Sequence, residues 1–89
     1  MIPKSEVRTK SWLKKHGFYF VRAGRSIGIF DFIAFKKDCL WLIQAKCGQG
    51  PRKAETERLR AFNNYPSNGR KWVFLWKPYK REPIMKEVL

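Results

Sequence analysis

With 89 residues the chain has room for one small domain, and a composition that is 44% apolar and 16% aromatic excludes a disordered tail. Twenty Lys and Arg against 7 Asp and Glu give a net charge of +13, an imbalance that solvation does not require and that a polyanion, nucleic acid above all, explains directly. A membrane is the weaker partner: no basic amphipathic helix dominates the chain, no apolar run approaches the roughly 18 residues of a spanning helix, and no signal-peptide core opens it, so a cytoplasmic protein is expected.

Residues 2–16 read as a helix. Pro3 suits the first turn, Lys14, Lys15 and His16 suit the negative end, and Gly17 is a natural residue just beyond it. At the helical period Ile2, Glu6, Thr9 and Leu13 share a face with Lys10 beside them, which sets Glu6 among core-like neighbours. Taken alone, Glu6 is better read as an acid complementing the helix dipole. His16, the single histidine, is expected to be a helix-end cation and neither base nor ligand. Residues 18–23 read as a strand, with Phe18, Phe20 and Arg22 on one side and Tyr19, Val21 and Ala23 on the other. Arg22, closing an aromatic face, is equally open to a solvated and to a functional reading. A basic loop bracketed by glycines follows; its Arg25 and Ser26 could bond phosphate oxygens or be ordinary loop residues.

Residues 30–46 read as a β-hairpin whose polar residues stand where a strand least favours them. Asp31 interrupts Phe30, Phe32, Ile33, Ala34 and Phe35, while Gln44 and Lys46 interrupt the end of the second run. An ionised carboxylate among apolar groups is costly unless a metal ion, a lysine or both pair with it. If Lys37 and Asp38 form a two-residue turn, Lys36 faces Cys39 and Asp31 falls opposite Gln44. A four-residue loop keeps the same pairing, and an odd-length loop breaks it. Lys46 then shares the face of Gln44, so one hairpin collects Asp31, Gln44 and Lys46. The cysteines Cys39 and Cys47 have neither a disulfide-framework nor a zinc-ligand spacing and read as reduced thiols.

A break at 47–51 leads to a second helix from about 51 to 64, with Gly50 near the cap and Pro51 in the first turn. Ala54, Leu59, Ala61 and Phe62 form its apolar face. Glu55 and Arg58, three residues apart, are expected to pair with each other as a structural ion pair; a substrate contact by Arg58 is the sharper alternative. Residues 71–77, apolar on both faces, read as a covered interior strand. Its Trp72, Phe74 and Trp76 stripe is core before it is a base-stacking platform, with Trp76 open to exposure at the strand end. Residues 84–89 read as a short helix or a fraying end.

The order is α-β-β-β-α-β, an α/β (α+β) arrangement in which a mixed sheet carries its helices on one side or on both. With Glu6 in the first helix, Arg22 and Ser26 around the first strand, Asp31 in the second, and Gln44 followed at +2 by Lys46, the chain resembles the PD-(D/E)XK nucleases. These have a restriction-endonuclease-like core of the same order. Within them it is most similar to the archaeal Holliday-junction resolvases, including relatives found in viruses. The resemblance implies a single nuclease-like domain over 1–89, a metal-dependent endonuclease hydrolysing DNA phosphodiesters in branched substrates. It implies a homodimer, a cellular interior (a host cell's for a viral protein), and no membrane or small-molecule cofactor.

By the same resemblance Asp31 and Gln44 ligate Mg²⁺, for which Mn²⁺ may substitute, and Glu6 completes the catalytic site. Lys46 orients or activates the attacking water, and Arg22 and Ser26, with Arg25 beside them, meet the scissile phosphate. The Ala45 carbonyl, between the two active-site side chains, is a further candidate ligand. The chemistry agrees: phosphodiester hydrolysis uses a hard cation, and Mg²⁺ takes oxygen ligands from one or two carboxylates. The chain departs from the resolvase pattern in three ways. It is shorter; Val7 stands where resolvases often carry Arg, leaving Arg8 or Lys10 to substitute; and Gln44 replaces an acid. An amide oxygen still ligates, but a negative charge is lost, so metal affinity should fall. The alternative is a catalytically weak or inactive nucleic-acid-binding protein on a nuclease scaffold. A basic RNA-associated protein of unrelated fold would leave Asp31 unexplained.

Overall fold

The computed structural model describes residues 4–23 and 29–89. Helix α1 (Lys4–Lys15) is followed by strands β1 (Tyr19–Arg22), β2 (Phe32–Lys36) and β3 (Cys39–Cys47), helix α2 (Lys53–Ala61), and strands β4 (Gly69–Trp76) and β5 (Ile84–Val88). They form one sheet in the order β1-β2-β3-β4-β5. All pairings are antiparallel except β3 with β4, the parallel pair that α2 connects. The expected α-β-β-β-α-β core is present, with one correction: the C-terminal segment is neither helix nor frayed end but a fifth strand on β4. Among the described residues no helix is long and apolar enough to cross a membrane.

Period-two alternation splits the core into two layers. On one face Leu13 of α1 packs with Phe18, Phe32, Ala34, Ile43, Phe74 and Trp76; on the other Leu59 of α2 packs with Phe30, Leu42 and Val73. The helices therefore lie on opposite faces. Covered on both sides and paired on both edges, β4 is the interior strand its sequence announces. Trp76 is not exposed but 3% accessible, its indole Nε1 donating to Thr9 Oγ1 at 2.8 Å, so the aromatic stripe is core.

Helix α1 ends where the sequence places its stop. Gly17 has φ +78°, its N–H donates to the Lys14 carbonyl at 3.2 Å, and the Phe18 N–H donates to the Leu13 carbonyl at 2.9 Å. These bonds make a Schellman cap, with Phe18 and Leu13 supplying its apolar contact. Because nothing crowds a Cβ at Gly17, the penalty for a side chain is conformational. Gly17→Ala is expected to destabilise by about 1 kcal/mol, read as a lower urea midpoint with an unchanged m-value.

Two local expectations change. Pro51 lies outside α2, whose N-cap is Arg52, and Glu55 does not pair with Arg58. Arg8, which with Lys10 could stand in for the arginine that resolvases often carry at position 7 to meet nucleic acid, packs against the fold: its guanidinium donates to the carbonyls of Lys77 (2.9 Å) and Lys80 and lies 4.5 Å from the centre of the Trp76 ring. Arg8 thus ties α1 to the turn between β4 and β5, because the helix face that buries Thr9 carries its neighbour to that turn.

Candidate active site

The hairpin pairs Lys36 with Cys39 across the two-residue connection Lys37-Asp38, and Asp38 takes the positive φ of 75°. Asp is among the few non-glycine residues that tolerate that conformation. From there the ladder runs to Phe32 opposite Ile43, and there β2 stops, so the pairing that would place Asp31 against Gln44 is replaced by a different contact. The Asp31 N–H donates to the Ile43 carbonyl at 2.8 Å, and the Ala45 N–H donates to Asp31 Oδ2 at 2.8 Å. Phe30 turns into the core layer beneath α2, which breaks strict alternation at this point. Asp31 therefore marks the end of the strand and bonds β3 with both its backbone N–H and its side chain. The N–H and C=O of a strand residue leave on the same edge, so the Ala45 carbonyl is directed to the Asp31 side.

Charged groups gather round that carboxyl from both faces of the sheet. From α1, Glu6 accepts from Arg22 Nε at 3.1 Å; the Glu6 side chain is 11% exposed and that of Arg22 53%. A hollow of about 280 Å³ beside the pair is lined by Val7, Lys10, Phe20 and Phe32 as well. From the other face come Gln44 and Lys46. Burial pushes the Asp31 carboxyl above its ordinary 3.8, the Ala45 N–H pulls it back, Glu6 adds to the rise, and Lys46 and Arg22 oppose it. Asp31 thus feels Glu6, Lys46 and Arg22 at once. Lys10 is exposed; Arg25 and Ser26 lie outside the described residues.

Gln44 is 4% exposed. Its Nε2 donates to the Ile29 carbonyl at 3.2 Å and lies 3.5 Å from Glu55 Oε2, which orients the amide, since the opposite orientation would set its oxygen against two acceptors. The Oε1 atom finds no hydrogen-bond partner among the described residues. Lys46 Nζ is 2.7 Å from Glu55 Oε2. Glu55 is the member of this group that sequence reasoning missed. Standing three residues after the N-cap, it accepts from the Arg52 N–H through Oε1 at 3.3 Å. The hydrogen bond from Lys46, then that from Arg52, hold its carboxyl below the ordinary 4.5.

No three His, Cys, Asp or Glu side chains converge into a ready-made metal cage among the described residues. A hard, oxygen-seeking cation that keeps several waters does not need one. The oxygens at hand are of the kind such an ion takes: the half-buried Asp31 carboxylate on the Ala45 N–H, and the amide oxygen of the preceding residue, Gln44.

No protein-family model matches the sequence, and no curated protein matches it. Among solved structures the chain is similar to Hjc of Archaeoglobus fulgidus, a Holliday junction resolvase from an archaeal hyperthermophile. The superposition has a TM-score of 0.71 at 19% identity and covers 97% of this chain and 74% of Hjc. This chain has the resolvase fold. The restriction-endonuclease-like architecture read from its element order is therefore borne out, and the likeness to Hjc spans both halves of the chain.

Proposed function

We propose that the protein is a metal-dependent, structure-selective endonuclease that cuts branched DNA inside the cell, in the manner of a junction resolvase. The observation that carries this reading is a buried amide oxygen, on Gln44, without a partner among the described residues, in the same part of the sheet as a half-buried aspartate and a lysine. A core built only for packing has no use for that combination.

In this reading Asp31, Gln44 Oε1 and the Ala45 carbonyl hold Mg²⁺ or Mn²⁺, with Glu6 completing the site. When bound, the ion supplies charge neutralisation at the phosphoryl oxygens and lowers the pKa of a water. Lys46 orients the nucleophile and stabilises negative charge developing on the phosphate. Arg22, held by Glu6 but half exposed, meets a phosphate oxygen at the open side of the site. The +13 charge draws the DNA backbone in. Two opposed cuts need two sites, and a homodimer provides them; Tyr19, Val21 and Phe35, exposed at the β1 edge of the sheet, offer apolar surface to a second copy.

A panel of four-way junction, flap, duplex, single-stranded DNA and RNA, each with Mg²⁺ or Mn²⁺, tests the proposal. Cleavage of the branched DNA is expected, abolished by chelation and by Lys46→Ala; a panel left intact with both metals overturns it. The neutral amide at 44 favours one other reading, a nucleic-acid-binding protein on a nuclease scaffold. That reading predicts salt-sensitive binding without cleavage, and a large gain of activity in Gln44→Glu.

A further inference from the structure

Glu55 has two carboxylate oxygens with different tasks. Oε1 accepts the Arg52 N–H at 3.3 Å, which is all that a helix cap requires. Oε2 is aimed away from the helix, at Lys46 Nζ (2.7 Å) and Gln44 Nε2 (3.5 Å). The first turn of α2 therefore delivers a carboxylate to the side chain where position 44 has none. The Gln44 amide turns its Nε2 to Glu55, and its buried Oε1 is an acceptor that the described residues leave unused.

The charge balance points the same way. In the rest of the site Glu6 and Asp31 are matched by Arg22 and Lys46, which leaves no surplus negative charge to hold a dication. Glu55 provides that surplus. Only seven acids occur in the chain, and the Oε2 of this one is given to the side chains of Gln44 and Lys46. In the first turn of α2, bonded by Lys46 and Arg52, Glu55 presents carboxylate oxygens of the kind that a hard cation takes as ligands.

We propose that Glu55 is a metal-ligating carboxylate of the Mg²⁺ or Mn²⁺ site, supplied from α2 in place of the acid missing at position 44. The inference rests on the metal-dependent reading above and makes it specific. Lys46 holds Glu55 Oε2 in position before the ion arrives, so the Lys46–Glu55 pair belongs to the metal-free form. The chain has moved a ligand between elements without losing it.

Mn²⁺ binding to the DNA-free protein, followed by the electron paramagnetic resonance of free Mn²⁺, tests this without any activity. Glu55→Gln is expected to weaken Mn²⁺ by about tenfold or more, and Gln44→Glu in that background to restore it to within about threefold of wild type. Lys46→Met removes the same ion pair but no ligand, and should bind Mn²⁺ at least as tightly as wild type. Glu55→Ala, with circular dichroism as the control for folding, repeats the loss with the side chain removed. If Glu55→Gln and Glu55→Ala bind Mn²⁺ like wild type while Asp31→Asn does not, Glu55 is a cap and ion-pair partner only and the nuclease reading stands. If wild type itself binds no Mn²⁺, both readings fall together.

Discussion

Asp31→Asn is expected to abolish cleavage and, in the same protein, to raise the melting temperature of the metal-free form. The two effects have one cause. The carboxylate is half-buried with Glu6 nearby, and that burial, only partly offset by the Ala45 N–H, Lys46 and Arg22, lifts its pKa above 3.8. The native state therefore binds this proton more tightly than the unfolded chain. The stability contributed by the group is fully present below pH 3.8 and is lost as pH rises through the folded value, so near neutrality the charge on Asp31 works against the fold. An asparagine oxygen can still accept the Ala45 N–H, and the charge is gone. The melting temperature should rise by up to about 5 °C, and the gain should vanish at low pH where the wild-type carboxyl is already protonated. Cleavage should fall roughly a thousandfold, about 4 kcal/mol of transition-state stabilisation. A variant that loses activity and stability together would make Asp31 a structural residue.

Lys71→Ala should give the largest loss of stability in the chain. Lys71 is 3% exposed, and its ammonium donates to the carbonyls of Leu59, Arg60 (3.1 Å) and Phe62 (2.9 Å) while lying 5.5 Å from the centre of the Tyr65 ring. All three of its donors are used, and they close the C-terminal end of α2, where the backbone oxygens have no partner of their own. Desolvation lowers the Lys71 pKa from 10.5, so the unfolded chain binds this proton more tightly than the native state. On this group's account stability is greatest above pH 10.5 and falls as pH drops through the folded value. Even so, the ammonium gives three carbonyls at the end of α2 the donors they would otherwise lack. Truncation strands the carbonyls in a buried place and should cost about 3 kcal/mol, or roughly 15 °C in melting temperature. A change under about 1 kcal/mol would show that water replaces the ammonium without penalty.

The hairpin was legible because its signals are local: apolar alternation, a pair of turn residues, and polar residues out of place. The gathering of Asp31, Gln44 and Lys46 in one region could be counted on paper. That register needs an unbroken pleat, however, and the ladder stops at Phe32, so that Asp31 meets β3 through its N–H at Ile43 and its side chain at Ala45. Glu55 was assigned to Arg58 because helical spacing reveals only neighbours on the same helix. Its contact with Lys46 depends on how α2 folds back over β3. By sequence Lys71 opens the last strand; β4 in fact begins at Gly69 and carries Lys71 beneath α2. Gly69 makes that early start possible, since a Cβ there would meet Tyr65 at 2.8 Å and the Pro66 carbonyl at 3.0 Å. Strand β5 is short and charged, and only the free edge of β4 gives its backbone a partner. The aromatic stripe and the Gly17 stop were read correctly because they depend on periodicity and φ alone. What sequence could not supply was every contact made by a polar side chain across the two layers.

The most direct measurement is single-turnover cleavage of an end-labelled four-way junction at low salt, with Mg²⁺, for wild type and for Asp31→Asn. The account predicts paired cuts near the branch point by wild type, none after chelation, and a rate for Asp31→Asn lower by about three orders of magnitude with junction affinity largely retained. Tight junction binding with no cleavage by wild type, in Mg²⁺ and Mn²⁺ alike, would contradict it.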